Sequence, residues 1–130
     1  MKSDTAQRRK LSNSPNEQQI QNLRILVLMT LDPLRSLLSL PLVVNSGFRS
    51  PAVNAAVGGV PASQHCKGEA ADITASCPSA NRLLLKIILE NYSTLSFDQI
   101  IAEKCDKYGC PRWIHVSYRI GRNRKEILFR

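Results

Sequence analysis

Histidine is scarce in this chain, with only His65 and His115 among 130 residues. Aromatics are few as well: three Phe, three Tyr and one Trp. A stacking surface for single-stranded nucleic acid is therefore poorly supplied, and no nucleic-acid partner is expected. No apolar run is long enough to cross a bilayer. The first long one, from Leu23, is broken by Arg24, Asp32 and Arg35. Neither a membrane span nor a secretory leader is predicted, so synthesis in the cytoplasm without a signal peptide is expected. The four cysteines, Cys66, Cys77, Cys105 and Cys110, lack the close paired spacing of a Cys-only zinc site. Without a leader, reduced thiols are expected. Gly58-Gly59 has no Lys-Ser/Thr sequel, which excludes a phosphate-binding P-loop. Acid is also short: 10 Asp and Glu against 18 Lys and Arg leave a net charge of +8. Such a balance favours anionic partners, cell-wall polymer among them. Much of the excess lies towards the ends, from Lys2 to Lys10 and from Arg119 to Arg130.

The length suits one domain with one core. Residues 1–13 are polar and charged and read as a disordered basic tail, leaving 14–130 as a single domain. Ser14-Pro15-Asn16-Glu17 reads as a helix start, with Ser14 as N-cap and Glu17 completing a capping box. A wide apolar stripe follows at Ile20, Leu23, Leu26, Val27, Met29, Thr30, Leu31, Leu34, Leu37 and Leu38. Pro33 should kink or restart that helix. Leu42-Val43-Val44 predicts a strand, Ala52 to Val57 a short helix, and Gly68 to Ile73 a buried strand. Pro78-Ser79 opens a further helix with Leu83, Leu84, Ile87, Ile88 and Tyr92 inward. FDQIIAE and WIHVSY predict two late strands, and Lys125 to Phe129 a last edge strand. The order of elements is α+β: a small antiparallel sheet carrying the site, packed against helices.

The chemistry concentrates between Ser46 and Ile73, SGFRSPAVNAAVGGVPASQHCKGEAADI. His65 lies in a loop leading to a strand that ends on Asp72. In AADI an unpaired carboxylate would be costly, and a bound cation relieves that cost. His115 stands in WIHVSY, where a buried neutral imidazole needs a partner. Two imidazoles and a carboxylate suit zinc with one position open for water.

The same stretch resembles the zinc D-alanyl-D-alanine carboxypeptidase family, which also holds phage endolysins cleaving L-alanyl-D-glutamate bonds. The positions that carry the resemblance are Ser63 and His65, then Gly68, Ala70 and Asp72, and later Trp113 and His115. FDQIIAE and WIHVSY resemble the phage and prophage branch. The resemblance implies a monomeric zinc peptidase, carboxypeptidase or endopeptidase, acting on peptidoglycan stem peptides. It implies that His65, Asp72 and His115 bind zinc and that Arg49 contacts substrate.

Hydrolysis also needs a group to take and return a proton. Some members of the family have an acid three positions before the last His, but here Arg112 stands there and cannot act as a base. Glu103 and Asp98 are the candidates, and their odd spacing puts them on opposite faces of a regular strand. Glu103, at the end of FDQIIAE, is favoured. Arg49 has a planar fork suited to a substrate carboxylate. Ser63 and Gln64 either donate to substrate or order the His65 loop. The rival readings are a non-catalytic basic wall-binding module and a zinc-stabilised phage structural module.

Overall fold

The computed structural model describes residues 11–130. The expected tail lies outside the described residues as far as Lys10. Ser12 and Asn13, read as part of it, are instead docked. Asn13 is buried; its Nδ2 donates to the Phe48 carbonyl, and its Oδ1 accepts from Ser50 N. Ser50 Oγ donates to the Ser12 carbonyl.

Helix α1 runs over Glu17–Leu26, and its N-cap is Asn16, two residues beyond the expected one. Asn16 and Gln19 form a reciprocal capping box. With Asn13 drawn across to the Phe48–Ser50 loop, the helix cannot begin at Ser14. A π-helical turn, Val27–Leu31, joins α1 to α2, Asp32–Leu38. Pro33, in the first turn of α2, offers no N–H and its ring crowds the previous turn. The wider turn accommodates it, so the helix restarts. The apolar stripe is narrower than expected. Leu26, Thr30, Leu31, Leu34 and Leu38 are buried, while Ile20, Val27, Met29 and Leu37 are exposed.

Strand β1 is Leu42–Ser46, and α3 is Pro51–Ala56, capped by Ser50. A 3-10 turn, Gln64–Lys67, leads to β2, Ala70–Ala75. Helix α4, Ala80–Glu90, buries Leu84, Leu85 and Ile88 but exposes Leu83 and Tyr92, which were expected inward. Strands β3 (Gln99–Glu103), β4 (Trp113–Ser117) and β5 (Glu126–Phe129) complete the sheet.

The strand order is β1-β2-β4-β3-β5. The pairs β1–β2, β2–β4 and β4–β3 are antiparallel, and β5 joins the edge of β3 in parallel. The sheet is thus mixed, and its antiparallel part carries the site. Strand alternation divides the two faces. Ile73, Ile100, Ala102, Ile114 and Val116 enter the core with Leu26 and Leu34 from α1 and α2 and Leu84 and Ile88 from α4. Full burial of each large aliphatic contributes about 1.5–3 kcal/mol. The other face carries Asp72, His115, Trp113, Ile101 and Glu103. No helix among the described residues is long and apolar enough to cross a membrane.

Candidate metal centre

Asp72 and His115 are direct partners in the β2–β4 ladder. Adjacent strands bring opposed side chains close. Here Asp72 Oδ1 lies 3.1 Å from His115 Nδ1. His65 arrives from the 3-10 turn before β2. Ser63 Oγ caps that turn by accepting from His65 N. Two side chains of α1 hold the turn from outside: Gln19 Nε2 donates to the Cys66 carbonyl and Asn22 Nδ2 to that of Lys67. Gly68 closes the turn at φ 73°, and a Cβ there would overlap the Gln19 carbonyl oxygen. A side chain is excluded at this position on both conformational and steric grounds.

His65 Nδ1 is 2.7 Å from the Gly47 carbonyl oxygen. A carbonyl can only accept, so Nδ1 carries the proton and Nε2 holds the lone pair of the neutral ring. That Nε2 lies 3.3 Å from Asp72 Oδ1. A lone pair facing a carboxylate oxygen is unfavourable unless a proton or a cation lies between them. His65, Asp72 and His115 each offer one ligand atom, and these atoms all lie within 4.8 Å of one another. The donor set therefore fits a divalent metal such as zinc, with the Gly47 carbonyl fixing the orientation of the first imidazole.

Burial pushes the Asp72 carboxyl up, but the contacts with the His115 and His65 imidazoles outweigh it and hold the group below the usual carboxylate range. Arg49 lies on the other side of the carboxylate: its Nη2 is 3.4 Å from Asp72 Oδ2, its Nε bonds Ser46 Oγ, and its Nη1 bonds Asn54 Oδ1. The fork expected to face substrate is partly engaged by the protein. The three donors open into a cleft of about 580 Å³, whose walls include Arg49, Ser63, Trp113, Glu103 and Arg124. Glu103 pairs with Trp113, two residues along from the pair Ile101–His115, and so shares the face of His115.

The profile of the Peptidase M15 family matches residues 3–117. The chain belongs to the peptidase M15 family. A search of curated proteins found no match. Membership makes the protein a peptidase, in a family of metallopeptidases, usually zinc-dependent, that act on peptidoglycan peptides.

Within this M15 peptidase the two candidate bases part. Glu103 reaches the cleft, whereas Asp98 is completely buried. Asp98 Oδ1 accepts from Arg124 N and Nε at 2.8 and 3.1 Å. Its Oδ2 accepts from Arg124 Nη2 at 2.8 Å and from Gln64 Nε2 at 3.0 Å. Burial raises this carboxyl, but the bonds from Arg124 and Gln64 outweigh it and bring it below its ordinary value. Gln64 therefore ties the His65 turn to the start of β3, as the loop-ordering alternative had it. Arg112 is exposed beside a separate groove with Lys104 and Asn81.

Sequence reasoning missed three groups. The Gly47 carbonyl, which orients His65, has no side-chain signal at all. Asn54, buried in α3 and holding Arg49, was legible only as a polar residue on a short apolar helix. Arg124 was read merely as part of a basic end. The four thiols are free, and burial pushes Cys66 and Cys105 up from the ordinary thiol value.

Proposed function

We propose that this protein is a zinc-dependent peptidase that hydrolyses an amide bond of bacterial cell-wall stem peptides. The observation that carries the reading is the convergence of His65 Nε2, Asp72 Oδ1 and His115 Nδ1 in a cleft that Glu103 also lines. These three side chains would hold the metal. When bound, zinc lowers the pKa of a coordinated water to about 7 and polarises the scissile carbonyl.

The remaining work falls to residues of this chain. Glu103 takes the proton of the water whose oxygen adds to the carbonyl carbon. As the C–N bond breaks, Glu103 returns that proton to the departing amine nitrogen. Arg49 keeps two N–H groups beyond its bonds to Ser46, Asn54 and Asp72, and these receive a substrate carboxylate. Ser63 and the turn it caps hold His65 in place. The chain acts as a monomer. Its placement among phage or prophage enzymes rests on FDQIIAE and WIHVSY.

The test is digestion of purified peptidoglycan by the zinc-loaded protein, with mass analysis of the fragments. New amine and carboxyl ends that vanish with chelator are expected. Intact peptidoglycan under all metal conditions would overturn the reading in favour of a non-catalytic module.

A further inference from the structure

Arg124 lies beyond the segment matched by the family profile, yet it forms part of the cleft wall. Its partner Asp98 has 0% side-chain exposure, while the Arg124 side chain is 45% exposed. The carboxylate beneath grips Nε and Nη2, and Nη1 has no partner among the described residues. A guanidinium held on one edge by a buried carboxylate has lost most of its rotamer freedom. Its outer edge then meets an anion at a reduced ordering cost. Arg124 is presented to the cleft rather than covered together with its partner.

The position on the sheet is also telling. Arg49 enters the cleft from the β1 side, next to Asp72. Arg124 enters from the loop before β5, on the far side of β4 and β3. The ligand group on β2 and β4 lies between the two in strand order. Glu126 is near enough to act on Arg124 electrostatically, but its Oε1 accepts from Gln99 Nε2 at 2.6 Å and it forms no ion pair with Arg124.

We infer that Arg124, oriented by Asp98, is a binding residue for a second carboxylate of the substrate, on the opposite side of the ligand group from Arg49. The substrate class is a peptide carrying carboxylates on both sides of the bond that is cut. This rests on the peptidase reading above.

The experiment compares three synthetic stem peptides: one with all carboxylates free, one amidated at its C-terminus, and one amidated at its internal glutamate carboxylate. KM values are measured with the zinc-loaded protein. A charge-assisted contact at a half-exposed site predicts that one amidation raises KM about tenfold. Arg124→Gln should remove that discrimination while leaving the response to the other amidation. Because Arg124→Gln leaves Asp98 buried without a counter-ion, the double variant Asp98→Asn/Arg124→Gln provides a neutral pair in case the single variant does not fold. It should show the same loss. Equal KM for all three peptides in the unaltered protein, or discrimination that survives in the folded variant, would overturn the inference. If no peptide is cut, calorimetric Kd values for the same three peptides decide it in the same way. A tenfold difference that Arg124→Gln erases then upholds the subsite while the peptidase reading fails.

Discussion

His65 and His115 meet edge to face across Asp72, their ring centroids 5.1 Å apart and their planes inclined by 65°. Neither ring can turn its nitrogen elsewhere without losing a contact, Gly47 O for His65 and Asp72 Oδ1 for His115. One zinc per chain is expected from elemental analysis of protein purified without added metal. His65→Ala and His115→Ala should each lose stoichiometric zinc. Retention of full zinc by both would show that the ligands lie elsewhere.

Zinc binding should also stabilise the fold, because the ligand atoms converge only in the native chain. Chelation is expected to lower Tm, and the shift should grow with free zinc by mass action, about 2.7 kcal/mol at a hundred times Kd. Thermal melts across a buffered zinc series measure this. A Tm independent of zinc would contradict the assigned site.

Glu103 shares the cleft face with His115 but lies outside the cluster of possible ligand atoms. Glu103→Gln should therefore keep its zinc and lose turnover by about 100- to 10,000-fold, the usual contribution of a general acid–base group. KM should change little, since the group acts in the transition state. Near-normal turnover in this variant would remove Glu103 from the mechanism.

Asp98 predicts a pH dependence of stability. Its folded-state carboxyl titrates below the unfolded value of about 3.9, so the folded chain binds that proton less readily. The stabilisation is therefore complete above that pH and is lost as pH falls through the folded value. Urea melts should show stability declining below about pH 4, with a shallower decline in Asp98→Asn. The same variant should be destabilised at neutral pH by about 2–3 kcal/mol, as expected when a buried carboxylate loses its charge-assisted bonds. A flat difference between the two proteins across acid pH would remove Asp98 from this role.

Gly68→Ala tests the turn that presents His65. Positive φ alone costs about 1–2 kcal/mol for a residue with Cβ, and the overlap with the Gln19 carbonyl adds to it. The variant should be destabilised by more than about 1 kcal/mol in urea melts and should bind zinc more weakly. Unchanged stability would mean that α1 does not press on the turn.

Much of the site was legible because its residues broke local patterns. Asp72 interrupts an apolar strand, and His115 sits between Ile114 and Val116, both fully buried. Asp98 precedes β3, and what separates it from Glu103 is its burial beneath Arg124 and Gln64 rather than strand parity. What was hidden depends on contacts distant in sequence. Two overlapping capping patterns, at Ser14 and Asn16, are indistinguishable until Asn13 is seen bonded to Phe48 and Ser50. In α4 the exposed Arg82, Lys86 and Glu90 recur every four residues and mark the outer face, and Leu83 borders that face, so its exposure was open to periodicity and was missed. The parallel pairing of β5 leaves no periodic trace, since one strand pattern serves either direction.

The pairing of Asp72 with His115 joins residues 43 apart in the chain. All of α4 and β3 lie between them. Closing so long a loop is entropically unfavourable until α4 and β3 are in place to compensate. Metal capture is thus expected late, and zinc uptake during refolding would report on completion of the whole sheet rather than on any local turn.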